Sequence, residues 1–395
     1  MVHDGRLPDA SWSTIGGLMD TSLHVAITLE QFWHRVPGGS ATSIWEMVRA
    51  LSDHDVALTG VSAWHKKRPP LRFRLETPIE WIPLPRPVLY ETWHRFRRPK
   101  VQSVTGRVDV IHATTLAIPP KSAPLVVTIH DLAFLHAPEH FTARGNRFFR
   151  RGLELAIEDA DLVVCPSEAT AADCRNHGLD AERVRVVPWG VSTQRASERD
   201  VADVRGRLGL QAPYLLWTGT IEPRKNLPGL VEAYLSLDTN SMDTDMMLVL
   251  AGPEGWNEDL DALVSRGGER IRSLGFVQPD ELRALYAGAE AFCYPSLFEG
   301  FGLPVIEAMA QGTPVITSAG TATEEAAGGA AVLVDPRDPT SIAAGIARAL
   351  DDREALGEAA IARAGELTWA ACADRMHAVY REAVYREAVS PGDPA

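Results

Sequence analysis

Cysteine is scarce in this chain: four in 395 residues, Cys165, Cys174, Cys293 and Cys372, with no C-x-x-C pair. A disulfide framework or structural zinc site is not expected, and a reducing compartment fits. Long hydrophobic runs are missing too, since no stretch approaches the roughly 20 apolar residues of a membrane span. The opening, MVHDGRLPDASWSTIGGLMD, lacks the basic start and apolar centre of a secretory signal. Positive charge is in deficit, 39 Lys and Arg against 52 Asp and Glu, and the net charge of -13 argues against general nucleic-acid binding. No G-x-G-x-x-G follows the first strand of either half, so the fingerprint of a dinucleotide-dependent oxidoreductase is absent. These absences predict a cytoplasmic protein with no nucleic-acid partner.

What is present is ordinary globular composition, 45% hydrophobic and 23% charged, in a chain long enough for two cores. Residues 1–18 read as a flexible leader or an artefact of start-site choice, and the first domain is placed from residue 22. From Ser22 onward short apolar runs alternate with helical patterns, the signature of βαβ units and parallel sheets. In the first half, strands are predicted at LHVAITL, DVALTGV, DVIHAT, LVVTIHD, DLVVCPS and RVRVVPW, with helices at 39–51, 145–159 and 167–177. A second series runs through YLLWTGT, MMLVLAGP, RIRSLGFV, AFCYPS, TPVITS and AAVLVD. Between them lies a polar, charged stretch, and the boundary is placed near 192–212. The predicted organisation is a leader (1–21), a first Rossmann-like domain (22–195), a second (212–367), and a helix (368–389) crossing back to the first domain. Within that helix the tandem VYREAVYREA should point its copies to different faces, because five residues advance a helix by about 500°.

The segment LFEGFGLPVIEAMAQGTPV (297–315) sets Glu299 and Glu307 eight positions apart around a Gly-Phe-Gly-Leu-Pro turn. Pro304 suits the first helical position and Gly312 the stop, so 304–311 is predicted to be a short helix. Its unpaired N–H groups, around Gly302 and Leu303, favour an anion. A carboxylate aimed at that anion would be repelled, so the two glutamates are expected to face neutral hydroxyls, as acceptors for vicinal diols. A diphosphate with a sugar at each end satisfies both. Positive charge comes from GTIEPRKNL (219–227), at the carboxyl end of a strand, where open α/β sheets bind ligands. Fixed cations at Arg224 and Lys225 would stabilise charge developing on a departing diphosphate.

These residues carry a resemblance. GTIEPRKNL, LVLAGP, LGFV, ELRALYAGAEAFCYPSLFEGFGLPVIEAMAQGTPVITS and AAVLVDP resemble, in order and spacing, the donor-binding half of the family 4 glycosyltransferases, retaining enzymes of the GT-B fold. The first half is similar more loosely, in PGGSATSIWEMVRAL, LVVTIHDLAF and DLVVCPSEATAADC. The resemblance implies a GT-B architecture, α/β with two Rossmann-like domains facing across a cleft. It implies that Glu299 faces the donor sugar, that the backbone of Phe301, Gly302 and Leu303 touches sugar and phosphate, and that Glu307 holds the ribose. It implies a diphosphate pair in Arg224 and Lys225, and base contacts near Phe276 and Val277. Gly38 and Gly39 match a glycine loop against the phosphates, and His130 a histidine near the donor sugar. Trp189-Gly190-Val191-Ser192 departs from the family's Asn-Gly-Val/Ile-Asp at the end of the first domain.

GTIEPRKN and HDLAF resemble bacterial mannosyltransferases of surface-polysaccharide assembly, which points to mannose from GDP-mannose, with a UDP-sugar as the alternative. Asp-x-Asp occurs at 53/55, 159/161, 243/245 and 259/261. In an acidic chain this is chance frequency, and Arg224 and Lys225 supply the neutralisation a Mg²⁺ would give. No metal and no cofactor are therefore expected. Residues 65–100 hold ten Lys and Arg against three Glu, interleaved with Trp64, Trp81 and Trp93. The stretch is read either as a surface excursion with solvated charges, or as a patch for anionic lipid or an anionic acceptor, glycan or lipid-linked. Two other functions stand beside glycosyl transfer: a nucleotide-sugar 2-epimerase on the same fold, and a catalytically silent nucleotide-sugar-binding subunit.

Overall fold

The computed structural model describes residues 22–34, 38–237, 246–253, 255 and 260–389. The leader, Asp243, Asp245 and Asp259 lie outside them. The first domain holds a parallel seven-stranded sheet in the order β3-β2-β1-β4-β5-β6-β7. Its strands are β1 (Leu23–Thr28), β2 (Val56–Ala63), β3 (Ile79–Ile82), β4 (Val110–Ala113), β5 (Leu125–Thr128), β6 (Leu162–Cys165) and β7 (Val184–Val186). Its helices are α1 (Gly38–Leu51), α2 (Arg86–Phe96), α3 (Gln102–Thr105), α4 (Ala133–His136), α5 (Ala143–Asp159) and α6 (Glu168–Asn176). The central strands read LVVT and LVVC without alternation because helices cover both faces of the sheet, and every residue in them is buried.

The second domain begins with α7 (Glu198–Leu208) and holds a parallel six-stranded sheet, β10-β9-β8-β11-β12-β13. Its strands are β8 (Tyr214–Thr218), β9 (Met247–Ala251), β10 (Ile271–Gly275), β11 (Ala291–Tyr294), β12 (Val315–Ser318) and β13 (Val332–Val334). Its helices are α8 (Leu227–Ser236), α9 (Leu260–Gly267), α10 (Pro279–Ala287), α11 (Leu303–Ala310), α12 (Ala322–Ala327), α13 (Pro339–Asp351) and α14 (Arg353–Glu366), and the last helix is α15 (Trp369–Val389). In both sheets the strand order reverses beside the first strand, so each has the switch point at which open α/β sheets hold ligands.

Helix α7 lies inside the stretch read as linker. A capping box formed by Ser197 and Asp200 starts it and left-handed Gly209 ends it. The chain crosses between domains twice, side by side: the Val191 N–H donates to the Leu367 carbonyl (2.8 Å), and Val191 forms a parallel bridge with Thr368. A Cβ at Gly190 would stand 2.2 Å from the Trp369 nitrogen, so this crossing requires glycine. Beyond it, α15 packs on α1 and on the first sheet. Its buried Tyr380 hydroxyl shares a 2.8 Å hydrogen bond with His112 Nδ1 of β4, and Glu382 pairs with Arg185. Tyr385, the second copy in the tandem, is exposed. The apolar core on this face of the first sheet is continuous with the core of the second domain.

The basic stretch folds as the edge strand β3 and helix α2, which the sequence reading missed. Trp93 is buried, its indole N–H donating to the Pro99 carbonyl (3.0 Å). Arg97 donates to the Trp93, Ile118 and Pro119 carbonyls and pairs with Asp159. Trp64 and Trp81 are exposed, as are Leu71, Val88 and Phe96.

Candidate active site

The site is assembled at the carboxyl ends of β8 and β11. After β8 the chain turns at Gly219, whose carbonyl would lie 1.7 Å from a Cβ on Gly252 at the end of β9, so two strand ends meet there as glycines. A single 3-10 turn, Pro223–Lys225, presents Arg224 and Lys225. Asn226 ends it in a left-handed conformation, its side-chain amide donating to the Pro295 and Pro336 carbonyls at 3.1 and 2.6 Å. Those two bonds fix the turn to the loops after β11 and β13.

Both cations meet Glu299. Arg224 Nη1 donates to Glu299 Oε2 (2.8 Å), and Arg224 Nη2 pairs with Glu222 (2.7 Å). Lys225 Nζ donates to Glu299 Oε1 and to the Tyr294 hydroxyl, which itself donates to Glu299 Oε1 (3.0 Å). Glu222, Lys225 and Glu299 are buried, and Arg224 is a quarter exposed. Burial alone would raise the Glu299 carboxyl, but the Arg224 and Lys225 charges overcome it and hold it at about 2. Burial and the neighbouring guanidinium draw Lys225 below the ordinary ammonium range, against Glu299 and Glu222. Arg224 is raised despite burial, by the same two carboxylates.

The four charges cancel, two against two. The sequence reading set Glu299 against a neutral sugar and the cations against phosphate; the structure pairs them with one another first. Donors remain for a ligand. An ammonium has three N–H groups and Lys225 uses two, while a guanidinium has five and the bonds above use part of them. Glu299 has both oxygens engaged and its charge stabilised, so it is poorly suited to act as a nucleophile.

Immediately after Glu299 the turn touches the first domain. A Cβ at Gly300 would stand 1.8 Å from the His130 carbonyl. The Gly300 carbonyl accepts from Ser167 Oγ (2.6 Å) and Thr170 Oγ1 (3.1 Å). Ser167 also caps α6, and Glu325 of the second domain accepts from the Glu168 and Ala169 N–H groups at the same helix start. Thr170 and Glu325 were not singled out from sequence; Ser167 was legible only as the start of the helix at 167–177, and its partner 133 residues away was not.

Gly302 adopts a left-handed conformation (φ 102°) and opens α11; Pro304 carries no N–H and the Val305 N–H donates to the Gly302 carbonyl (2.9 Å), which leaves the N–H groups of Gly302 and Leu303 without an intrahelical acceptor. The Phe301 ring is buried, which leaves that residue its backbone for a ligand. Glu307, one turn into α11, accepts from the Tyr286 hydroxyl (3.1 Å); burial, less that bond and with the charge of Glu46 from α1, raises its carboxyl. Across the gap α1 starts at left-handed Gly38, and a Cβ at Gly39 would meet Leu303 Cδ1 at 3.5 Å. Two helix starts therefore face each other. His130 Nε2 donates to the Thr114 carbonyl (3.0 Å), leaving Nδ1 as an acceptor. Burial lowers its pKa, partly offset by that carbonyl and by Asp131. Phe276 and Val277 follow β10, the outermost strand: the Phe276 ring is exposed beneath the Arg72 guanidinium (5.5 Å) and Val277 packs on the core. No hydrogen bond ties them to the tetrad.

A cleft of about 1910 Å³ joins the two domains, lined by His130 and Asp131, by α2, α4 and the start of α5, and by Glu222, Pro223, Arg224 and Phe298. Of the Asp-x-Asp pairs, Asp53 and Asp55 are exposed in the turn before β2, and Asp159 and Asp161 bind Arg97 and Lys121 before β6, away from the strand ends. Asp261 lies in the first turn of α9. Among the described residues no cluster of His, Cys, Asp or Glu is arranged to hold a metal, and no helix is long and apolar enough to cross a membrane.

Comparison with known proteins gives the family and the fold. Residues 201–364 match the family described as glycosyl transferases group 1, and residues 37–195 match Glycosyltransferase Family 4. The O-antigen chain mannosyltransferase B of Escherichia coli is 33% identical over 310 residues, 75% of this chain and 80% of that protein. The chain is a family 4 glycosyltransferase. A second relative of this glycosyltransferase, the MMP alpha-(1->4)-mannosyltransferase of Mycolicibacterium hassiacum, is 29% identical over 373 residues, 85% of this chain and 88% of that one. Among solved structures, sucrose-phosphate synthase from Thermosynechococcus elongatus superposes with a TM-score of 0.73 at 23% identity, covering 93% of this chain and all of that one. Anabaena Alr3699/HepE in complex with UDP and glucose gives 0.72 at 19% identity, covering 91% of this chain and 100% of that chain. The enzyme thus has the GT-B fold, two parallel-sheet α/β domains with a cleft between.

Proposed function

We propose that the enzyme moves a hexose, mannose from GDP-mannose, to a hydroxyl of a glycan, lipid-linked or small-molecule acceptor with retention of anomeric configuration. The observation that carries the reading is the neutral tetrad of Arg224, Lys225, Glu222 and Glu299 lying under the start of α11 and opposite His130. When the anomeric C–O bond breaks, negative charge grows on the leaving diphosphate, where the remaining N–H donors of Arg224 and Lys225 and the N–H groups of Gly302 and Leu303 at the start of α11 oppose it. The acceptor oxygen bonds to the anomeric carbon on the same face, and its proton passes to the leaving diphosphate oxygen. His130 Nδ1 accepts from a donor-sugar hydroxyl and Glu307 from the ribose diol; Gly38 and Gly39 bring backbone N–H groups to the diphosphate. Phe276 and Val277 take the base. No metal takes part, since the cations are built in.

The mannosyltransferase relatives support mannose. A UDP-sugar is the second reading, favoured by the UDP complexes among the structural neighbours. The test is thermal unfolding with GDP, UDP, ADP and their sugars, each with and without EDTA. A nucleotide at a hundred times its dissociation constant adds about 2.7 kcal/mol to the folded state. One base should raise Tm by several degrees, the rise should be lost in Arg224→Ala, and EDTA should change neither binding nor turnover. No shift with any nucleotide would remove the donor site from this reading; activity lost in EDTA and restored by Mg²⁺ would remove metal independence. Contact of residues 65–100 with an anionic membrane belongs to the same proposal, supported by exposed Trp64, Trp81 and Leu71 among the cations. Equal retention on neutral and anionic vesicles would sink it.

A further inference from the structure

The first-domain wall of the cleft is basic in a way its own helices do not require. α2 opens with Arg86, and α5 carries Arg144 and Arg147 in its opening turns, with no acid in the first turn of either helix. Helix starts favour carboxylates because their free N–H groups are partially positive, so these cations stand against the local field. On α5, Arg144 and Arg147 lie three residues apart, where like charges repel across one face.

Other arginines nearby are engaged: Arg150 Nε donates to Asn146 Oδ1 (3.1 Å), Arg95 lies over the Phe96 ring (5.5 Å), and three more hold carboxylates. Arg151 pairs with Glu154 and Glu158, Arg97 with Asp159, and Arg224 with Glu222 and Glu299. Arg86, Arg144 and Arg147 have no ion-pair partner among the described residues. The acids of the lining are mostly committed as well: Glu154 and Glu222 as above, and Asp131 Oδ1 to the Ala133 N–H (3.0 Å). Glu91 remains.

The two helices are held rigidly to one another. Phe148 of α5 stacks on both Tyr90 and His94 of α2, at 5.4 and 4.4 Å between ring centres, and Phe149 packs on Phe134. Three guanidinium groups without a salt bridge, Arg86 feeling only the nearby charge of buried Glu30, are thus presented from fixed elements to the same cleft that holds His130 and Arg224. Guanidinium forks match phosphoryl oxygens in geometry as well as charge.

We propose that the acceptor carries a phosphoryl group and that Arg86, Arg144 and Arg147 grip it on the first-domain wall while its hydroxyl meets the donor sugar. The phosphoryl group is a handle and takes no part in bond making. The proposal rests on the glycosyl-transfer reading above.

The test uses the full chain saturated with whichever nucleotide raises its Tm, so that the donor phosphate site is filled. Calorimetric titration compares glucose 1-phosphate and dodecyl phosphate with their uncharged counterparts, methyl glucoside and dodecyl maltoside. The phosphorylated probes should bind at least tenfold tighter, with an affinity that falls as salt rises. Arg144→Ala/Arg147→Ala, two exposed positions, should lower that affinity at least tenfold and leave the nucleotide-induced Tm shift unchanged. Tighter binding of the dodecyl or of the glucose probe tells a lipid-borne from a soluble phosphoryl group. Equal binding of charged and neutral probes, or undiminished affinity once Arg86→Ala is added to the pair, overturns the proposal. Absence of any nucleotide shift is a separate failure, of the donor reading, and leaves the comparison of probes readable on the nucleotide-free chain.

Discussion

At the scale of single residues Glu299 neutralises Arg224 and Lys225, and in the proposed reaction it leaves them N–H donors for the diphosphate. Breaking a buried pair from one side leaves a bare charge, which costs about 3–5 kcal/mol. Glu299→Gln should therefore lower unfolding stability in urea by about that amount, and turnover by roughly 10²-fold or more. Lys225→Met alone should destabilise too, whereas the double variant should lose clearly less than the sum, because each removes the other's uncompensated charge. Additive losses would mean that the pair is not coupled. The sign of the pH effect follows from the same bond. The folded carboxyl lies at about 2 against an ordinary 4.5, so its contribution is complete above 4.5 and is lost as pH falls from there through about 2. Little of this was legible beforehand. Arg224 and Glu299 stand 75 positions apart, and nothing local in either segment says that one neutralises the other.

Elements show why parts of the fold could be read and others not. The central strands were legible because burial on both faces forces unbroken apolar runs, and α11 because Pro304 and Gly312 punctuate it. β3 and α2 were hidden by Pro83, Pro85 and Pro87 and by dense charge, though proline suits a first helical turn. α7 was missed although Ser197 and Asp200 spell its capping box. The contact between the Gly300 turn and the end of β5 carries its own prediction. Gly300→Ala would put a methyl group 1.8 Å from the His130 carbonyl, so the domains must part while each keeps its core. The variant should show a larger radius of gyration in small-angle scattering and at least tenfold lower kcat/KM, with Tm within a few degrees of the parent. Full activity and an unchanged radius would show that the contact yields at no functional loss.

The whole molecule is two sheets joined by paired crossings, with α15 returned to the domain the chain left first. Deleting residues 369–389 should strip that face of the first domain, leaving His112 without Tyr380 and Arg185 without Glu382, and the product should bind a hydrophobic dye and resist purification as a monomer. A monodisperse, cooperatively unfolding truncate would show that the first domain closes its core unaided. The return of α15 also sets an order in time. A ribosome works from one end, so β7 emerges roughly 200 residues before Tyr380, a delay of about 10–40 s at 5–20 residues per second. For that interval the part of the first sheet's apolar face that α1 does not cover waits exposed while the entire second domain is made and folds ahead of it. In this enzyme the nascent chain, more than the finished one, is the form that most needs a chaperone.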